Sequence, residues 1–207
     1  MSSISIIGTG NMARTIGARA TAGGNIVEVM GRDRSKAVDL ARALGGGATI
    51  GEWGAAPAGD IVIVALLFDG VVPAVTRYGD ALAGKIIVDI SNPFNSAFDG
   101  LAHGEETSIA QEVAKVAPAG ASVVKAFNTI FRDVLEKGRP DVFIAGDSAQ
   151  AKAAMEAFVK SLGLRPLDVG DLKMAHWLEG AGLVTVGLAR HGVGHFDFAL
   201  GVTEFHG

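Results

Sequence analysis

The feature that most constrains this chain lies within its first fifteen residues. An apolar run, ISIIG over residues 4–8, leads straight into Gly8, Thr9, Gly10, Asn11, Met12 and Ala13, where a helical pattern opens. The spacing is G-x-G-x-x-A. The first glycine permits a tight turn, the second lets backbone amides approach a pyrophosphate, and the small third residue lets helix and strand pack closely. A helix starting here aims its free N–H groups and the positive end of its dipole at the phosphates. Glycine-rich turns also occur as plain connections. The strand before it and the helix after it make the phosphate-binding turn the stronger reading.

The rest of the chain repeats that alternation. Residues 11–24 read as a helix with Met12, Ile16 and Ala20 on one face and Gly23 and Gly24 as its stop. Residues 25–31 form a second strand. Residues 34–47 form a second helix, with Ala37, Leu40, Ala41 and Leu44 at helical spacing. Residues 60–67 and 85–91 are near-continuous apolar runs, the pattern of parallel strands buried on both faces, with a helix around 71–82 between them. Residues 92–108 lapse into a long loop, a common seat of function. A helix over 109–118 follows, then strands over 121–127, 141–147 and 164–170. The helix over 148–163 has Ser148 as its cap. A long apolar helix and a short tail finish the chain. The expectation is an α/β fold, a Rossmann-type doubly wound, mostly parallel sheet over residues 1–170, with a small C-terminal helical extension over 171–207.

The tip of the second strand selects the nucleotide. NAD-binding domains place an acid there for the ribose 2'-hydroxyl. Here Gly31 stands at that position, followed by Arg32, and Arg34, Ser35 and Lys36 add two cations and a hydroxyl. Guanidinium and ammonium groups suit a 2'-phosphate, so NADP is favoured over NAD. Two acids compete: Glu28, which lies mid-strand, and Asp33, just past the tip. A solvated helix start is the plain alternative for the cations.

Ligands of open α/β sheets bind outside the carboxyl ends of the strands. Leu66, Leu67 and Phe68 there are expected to wall the cofactor, with ordinary core as the competing reading. Asn92, held extended by Pro93, is a candidate partner for the nicotinamide end. Asn128, Thr129 and Ile130, after the strand over 121–127, stand at the expected mouth of the nicotinamide pocket. His191 and His195 are four apart with two glycines between them, and with His206 they read as tail histidines rather than metal ligands. No metal site and no catalytic acid is assigned. His176, beside Trp177, falls on the last helix, which either meets a second subunit or covers the acceptor pocket.

Composition sets outer limits. Hydrophobic residues make up 49% of the 207, charged ones 19%, the formal charge is -4, and there is no cysteine. Without a basic block, nucleic acid and anionic membrane are poor partners. No disulfide, thiolate metal site or cysteine nucleophile exists, which fits a cytoplasmic protein.

SIIGTGNMA, GRDRSKA, DISNPF and VVKAFNT stand in one chain in that order. In this the sequence resembles the coenzyme F420-dependent NADP oxidoreductase family from about residue 3 to 170. It is also similar to the cytosolic reductase domain of the STEAP metalloreductases. The resemblance implies a Rossmann domain that exchanges hydride between NADP(H) and a small ring-shaped redox carrier, F420 or a flavin. It places Thr9, Gly10, Asn11 and Met12 at the pyrophosphate and Gly31, Arg32 and Lys36 at the 2'-phosphate. It assigns Asn128, Thr129 and Ile130 to the acceptor. Family members often carry Ser where this chain has Gly31, and archaeal members read His-Thr-Ile-Pro where it has Asn128, Thr129, Ile130 and Phe131. A homodimer is expected. The competing readings are a reductase of a small imine or carbonyl and a non-catalytic NADP-sensing module.

Overall fold

The apolar runs do become strands, and their alternation sorts the core into two layers. A computed structural model describes residues 1–104 and 107–205. Its strands are β1 (Ser3–Ile7), β2 (Ile26–Met30), β3 (Thr49–Gly51), β4 (Ile61–Val64), β5 (Ile86–Asp89), β6 (Ser122–Lys125), β7 (Asp141–Gly146) and β8 (Arg165–Gly170). Its helices are α1 (Asn11–Ala22), α2 (Arg34–Leu44), α3 (Phe68–Tyr78), α4 (Ile109–Val116), α5 (Arg132–Lys137), α6 (Ala149–Ser161) and α7 (Met174–Gly187). Successive side chains of a strand face opposite sides. Ile4, Ile6, Ile61, Ile63, Val88 and Val124 therefore join one core with α1, α2 and α6. Ile7, Val62, Val64, Ile87 and Val123 join the other with α3, α4 and α7.

The sheet order is β3-β2-β1-β4-β5-β6-β7-β8. From β3 to β6 every neighbouring pair is parallel, whereas β7 runs antiparallel to β6 and β8 follows β7. The chain winds outward from β1 to β3, then crosses back to β4. That reversal opens a crevice at the carboxyl ends of β1 and β4, where such sheets bind ligands.

The structure departs from the sequence expectations at several boundaries. The strand expected over 60–67 ends at Val64, because Leu67 already flanks α3 and Phe68 begins it. β3 and α5, of three and six residues, are too short to show a period. Ser148 does cap α6, accepting from the Ala151 N–H. α7 continues into one π-helical turn, Leu188–Gly192. The tail beyond it folds back. Phe131 meets the rings of Phe196 and Phe198, and the Val202 N–H donates to Asp141 Oδ2 at 2.8 Å. Hydrogen bonds from Arg165 hold the Asp141 carboxyl below the usual carboxylate range. Among the described residues no helix is long and apolar enough to cross a membrane.

Candidate nucleotide site

The glycine turn separates into two residues with different reasons to be glycine. Gly8 is buried at φ +128°, and a Cβ there would lie 2.3 Å from the Ala65 carbonyl oxygen. The turn is pressed against the end of β4, and only glycine allows it. Gly10 is exposed, with φ −80° and ψ −172°, a backbone any residue adopts. A Cβ at Gly10 would meet nothing within 4 Å. The protein itself gives no reason for that glycine, whereas a ligand lying against the backbone does. α1 starts at the next residue with no side-chain cap and no acid in its first turn, so no side chain takes up its leading N–H groups. Helices α2, α4 and α6 are capped by Asp33, Ser108 and Ser148, whereas α3, α5 and α7, like α1, have no side-chain cap.

From this turn a cleft of about 340 Å³ runs across the carboxyl ends of β1, β4 and β5. It is lined by Gly10, Asn11 and Met12, then Ala65, Leu66, Leu67 and Phe68, then Ile90, Ser91 and Asn92. The residues singled out on three separate strand ends thus share one surface. Leu67 is 81% exposed at its mouth, an apolar group facing water where a ligand would cover it.

At the β2 tip, Gly31 is buried, and a Cβ there would come within 2.8 Å of Thr9 Cγ2. The Thr9 methyl fills the room a serine at 31 would need. The Arg32 guanidinium stacks over Trp53, 5.7 Å from its ring centroid, and Trp53 in turn meets Tyr78 edge-on at 5.6 Å. Trp53 was not anticipated; a lone tryptophan in a loop carries no periodic signal. Arg34 and Lys36 are exposed beside it.

The two competing acids are both committed elsewhere. Glu28 accepts from Ser5 Oγ at 2.6 Å and from the Ala58 N–H at 2.9 Å. Asp33 caps α2, accepting from the Ser35 hydroxyl and the Ser35 and Lys36 N–H groups. The Ser35 hydroxyl bond, then the backbone bond from Lys36, hold its carboxyl below the usual range. This corrects the expectation for Ser35, whose hydroxyl at 2.6 Å from Asp33 Oδ1 serves the cap.

The ends of β5 and β6 are arranged differently from the open pocket expected there. Asn92 Nδ2 donates to the Asn128 carbonyl at 2.7 Å, and Asn128 Nδ2 donates to Asn92 Oδ1 at 2.9 Å and to the Leu178 carbonyl of α7 at 2.7 Å. Gly182 of α7 sits so close that a Cβ there would be 2.9 Å from Asn92 Oδ1. The Asn92 amide is therefore engaged within the protein rather than free for a nicotinamide. Pro93 and Thr129 are buried, and Ile130 belongs to the core on the α1 side. Phe127, fully buried at φ +63°, makes the turn that brings Asn128 to Asn92.

Beneath this pair lies a cluster missing from the sequence analysis. Asp89 and Lys125 are register partners on β5 and β6. Lys125 Nζ, fully buried, donates to Asp89 Oδ2, Glu179 Oε1 and the Ser91 carbonyl, each at 2.7 Å. Glu179 of α7 also accepts from the Ile109 N–H at 3.0 Å and meets His103 Nε2 at 2.6 Å. His103 Nδ1 lies 2.8 Å from the Gly104 carbonyl, so both ring nitrogens face oxygen. The signal in the sequence was an acid and a lysine closing two otherwise apolar strands. Among the described residues two buried side-chain atoms stay without a partner, Ser91 Oγ and Asn128 Oδ1.

His191 and His195 lie in or after the π-helical turn, and His206 lies outside the described residues. Among the described residues no three His, Cys, Asp or Glu side chains gather as a metal site.

Sheet order and flanking helices define a Rossmann-type α/β domain with a cleft at its strand ends. Comparison with known proteins narrows the class. Residues 3–93 match the family described as NADP oxidoreductase, coenzyme F420-dependent. The chain is 33% identical over 180 residues to Metalloreductase STEAP3 of Rattus norvegicus, covering 85% of this chain and 35% of that protein. It is 28% identical over 143 residues to the F420-dependent NADP reductase of Methanocaldococcus jannaschii, covering 65% of this chain and 64% of that one. The chain thus spans about a third of the rat protein and just under two thirds of the archaeal one. A crystal structure from Arthrobacter sp. FB24, of a proposed F420-dependent NADP reductase, superimposes with a TM-score of 0.86 at 25% identity, covering 99% of this chain and 100% of its own. The chain is thus similar to members of the coenzyme F420-dependent NADP oxidoreductase family, as its motifs indicated.

Proposed function

We propose that the chain binds NADP(H) along the cleft and is an oxidoreductase passing hydride between it and a ring-shaped carrier, a deazaflavin of the F420 type or a flavin. The observation that carries the nucleotide half is Gly10, a glycine with ordinary backbone and open space where its side chain would be. Its backbone and the uncapped start of α1 hold the pyrophosphate. Arg32, steadied on Trp53, takes the 2'-phosphate, with Arg34 and Lys36 adding charge. Leu66, Leu67 and Phe68 wall the middle of the cleft.

When bound, NADPH supplies the hydride. The chain's part is to orient and to exclude water. Among the described residues the cleft lining contains no Asp, Glu, His, Lys or Tyr. That favours a redox ring as acceptor, because hydride transfer between stacked rings depends on positioning, whereas reducing an imine or carbonyl calls for a proton donor at the reacting atom. α7 covers the β5 and β6 ends, so the acceptor enters from the Leu67 side. The expected homodimer has an apolar face available in Trp177 and Val184, exposed along α7, and in Leu188 at the start of the π-helical turn.

Two measurements test this reading. NADPH should raise the melting temperature more than NADH at equal concentration; equal or stronger stabilisation by NADH refutes the 2'-phosphate assignment. Anaerobic NADPH oxidation should then proceed with F420, FMN or FAD. Tight NADPH binding with no turnover on any of the three leaves a nucleotide-binding protein without the proposed acceptor chemistry.

A further inference from the structure

We propose that the Ser91 hydroxyl is the cleft's hydrogen-bonding contact for the carboxamide of a bound nicotinamide, an assignment that rests on the NADP reading above. Ser91 is 5% exposed, lines the cleft, and its Oγ has no partner in the protein. A buried hydroxyl without a partner is costly, and such groups call for an explanation. The residue is not loosely placed. Its N–H donates to Asp89 Oδ1 at 2.9 Å and its carbonyl accepts from Lys125 Nζ at 2.7 Å. The buried ion cluster thus pins the backbone of Ser91 from both sides, leaving the hydroxyl free only to rotate.

Its place along the cleft identifies the ligand group. The 2'-phosphate end is fixed by the β2 tip and the pyrophosphate by Gly10, so the β5 end receives the nicotinamide half. Three residues line that end. Ile90 is apolar, and the Asn92 amide is taken by Asn128. Ser91 alone among them brings an unpartnered hydrogen-bonding group, a buried hydroxyl that a rotation about its Cα–Cβ bond turns. The polar handle of a nicotinamide ring is its carboxamide, whose oxygen accepts from a hydroxyl. A contact there fixes which way the ring lies, and therefore which face is offered to the acceptor.

The test is Ser91→Ala, titrated calorimetrically with NADP+ and with 2'-phospho-ADP-ribose, which lacks the nicotinamide ring. NADP+ affinity should fall about five- to tenfold, the effect of one hydrogen bond. Affinity for 2'-phospho-ADP-ribose should not change. The ligand-free melting temperature should stay level or rise, because an unsatisfied hydroxyl has been removed. Unchanged NADP+ affinity, an equal loss for both ligands, or a melting temperature lowered by several degrees each overturns the assignment. If the unsubstituted protein binds neither ligand, the NADP reading falls and this one with it. If it binds both and Ser91→Ala changes neither, only the Ser91 assignment falls.

Discussion

Two polar regions sit side by side at the carboxyl ends of the strands, and they are opposites. The cluster of Asp89, Lys125, Glu179 and His103 is closed: Lys125 and both carboxylates are fully buried, and their charged groups have protein partners at 2.6–3.0 Å. The cleft from Gly10 to Ser91 is open: a glycine backbone faces empty space, a helix start lacks a cap, and a hydroxyl lacks a partner. Satisfied groups explain themselves by the fold they hold together. Unsatisfied groups call for a ligand. On that criterion the charged cluster is a brace, tying β5, β6, α7 and the loop carrying His103, although its ionisable residues are the ones a search for catalysis would pick first.

Removing the centre of the brace gives the largest expected effect. Lys125→Met leaves Asp89 and Glu179 buried without their cation, and breaking a buried ion pair from one side costs about 3–5 kcal/mol. Urea denaturation should show that loss. A variant within about 1 kcal/mol of the parent would mean that the cluster is not a brace, and its ionisable groups would return as candidates for chemistry.

Next comes the pair of turn glycines, one belonging to each kind of region. Gly8→Ala forces a Cβ to 2.3 Å from the Ala65 oxygen at φ +128°, and strain of this kind costs on the order of 2 kcal/mol or more. Gly10→Ala changes an exposed helix-cap position and should cost at most about 1 kcal/mol of stability. NADPH affinity, however, should fall at least tenfold, about 1.4 kcal/mol, because the added methyl lies where the pyrophosphate approaches. Thermal melts and NADPH titrations on both variants separate the two roles. Intact NADPH binding by a folded Gly10→Ala protein would break the distinction between open and closed regions at its strongest point.

How much of this could be read from the sequence follows the same division. β1, β4 and β5 are mostly apolar, and the glycine spacing sits at a fixed offset from β1, so the fold and the position of the glycine turn were legible. β3 and α5 were not, since three and six residues give no period to detect. The brace was hidden because it joins residues 36 and 54 positions apart, and only strand register brings Asp89 opposite Lys125. Asn92 was read as a ligand group because its partner Asn128 lies 36 residues on. Ser91 was passed over because a missing hydrogen bond becomes visible only when every neighbour's partner is known.

The smallest effect concerns Trp53, where the open site borrows rigidity from the protein. Arg32 is an exposed side chain, and without support it would have to be ordered at each binding event. Stacking on Trp53 at 5.7 Å holds it in place, a contact worth about 0.5–1 kcal/mol at exposed sites. Trp53→Ala should therefore weaken NADPH binding about two- to fivefold and leave NADH binding as it was, lowering the NADPH to NADH preference by that factor. The ratio is the informative quantity. Loss of the Trp53 contact with Tyr78 would affect both nucleotides through stability, whereas loss of a positioned guanidinium affects only the one with a 2'-phosphate. A variant that weakens both equally would show that Trp53 serves packing alone. The discrimination would then rest on the charges of Arg32, Arg34 and Lys36 without any preset geometry.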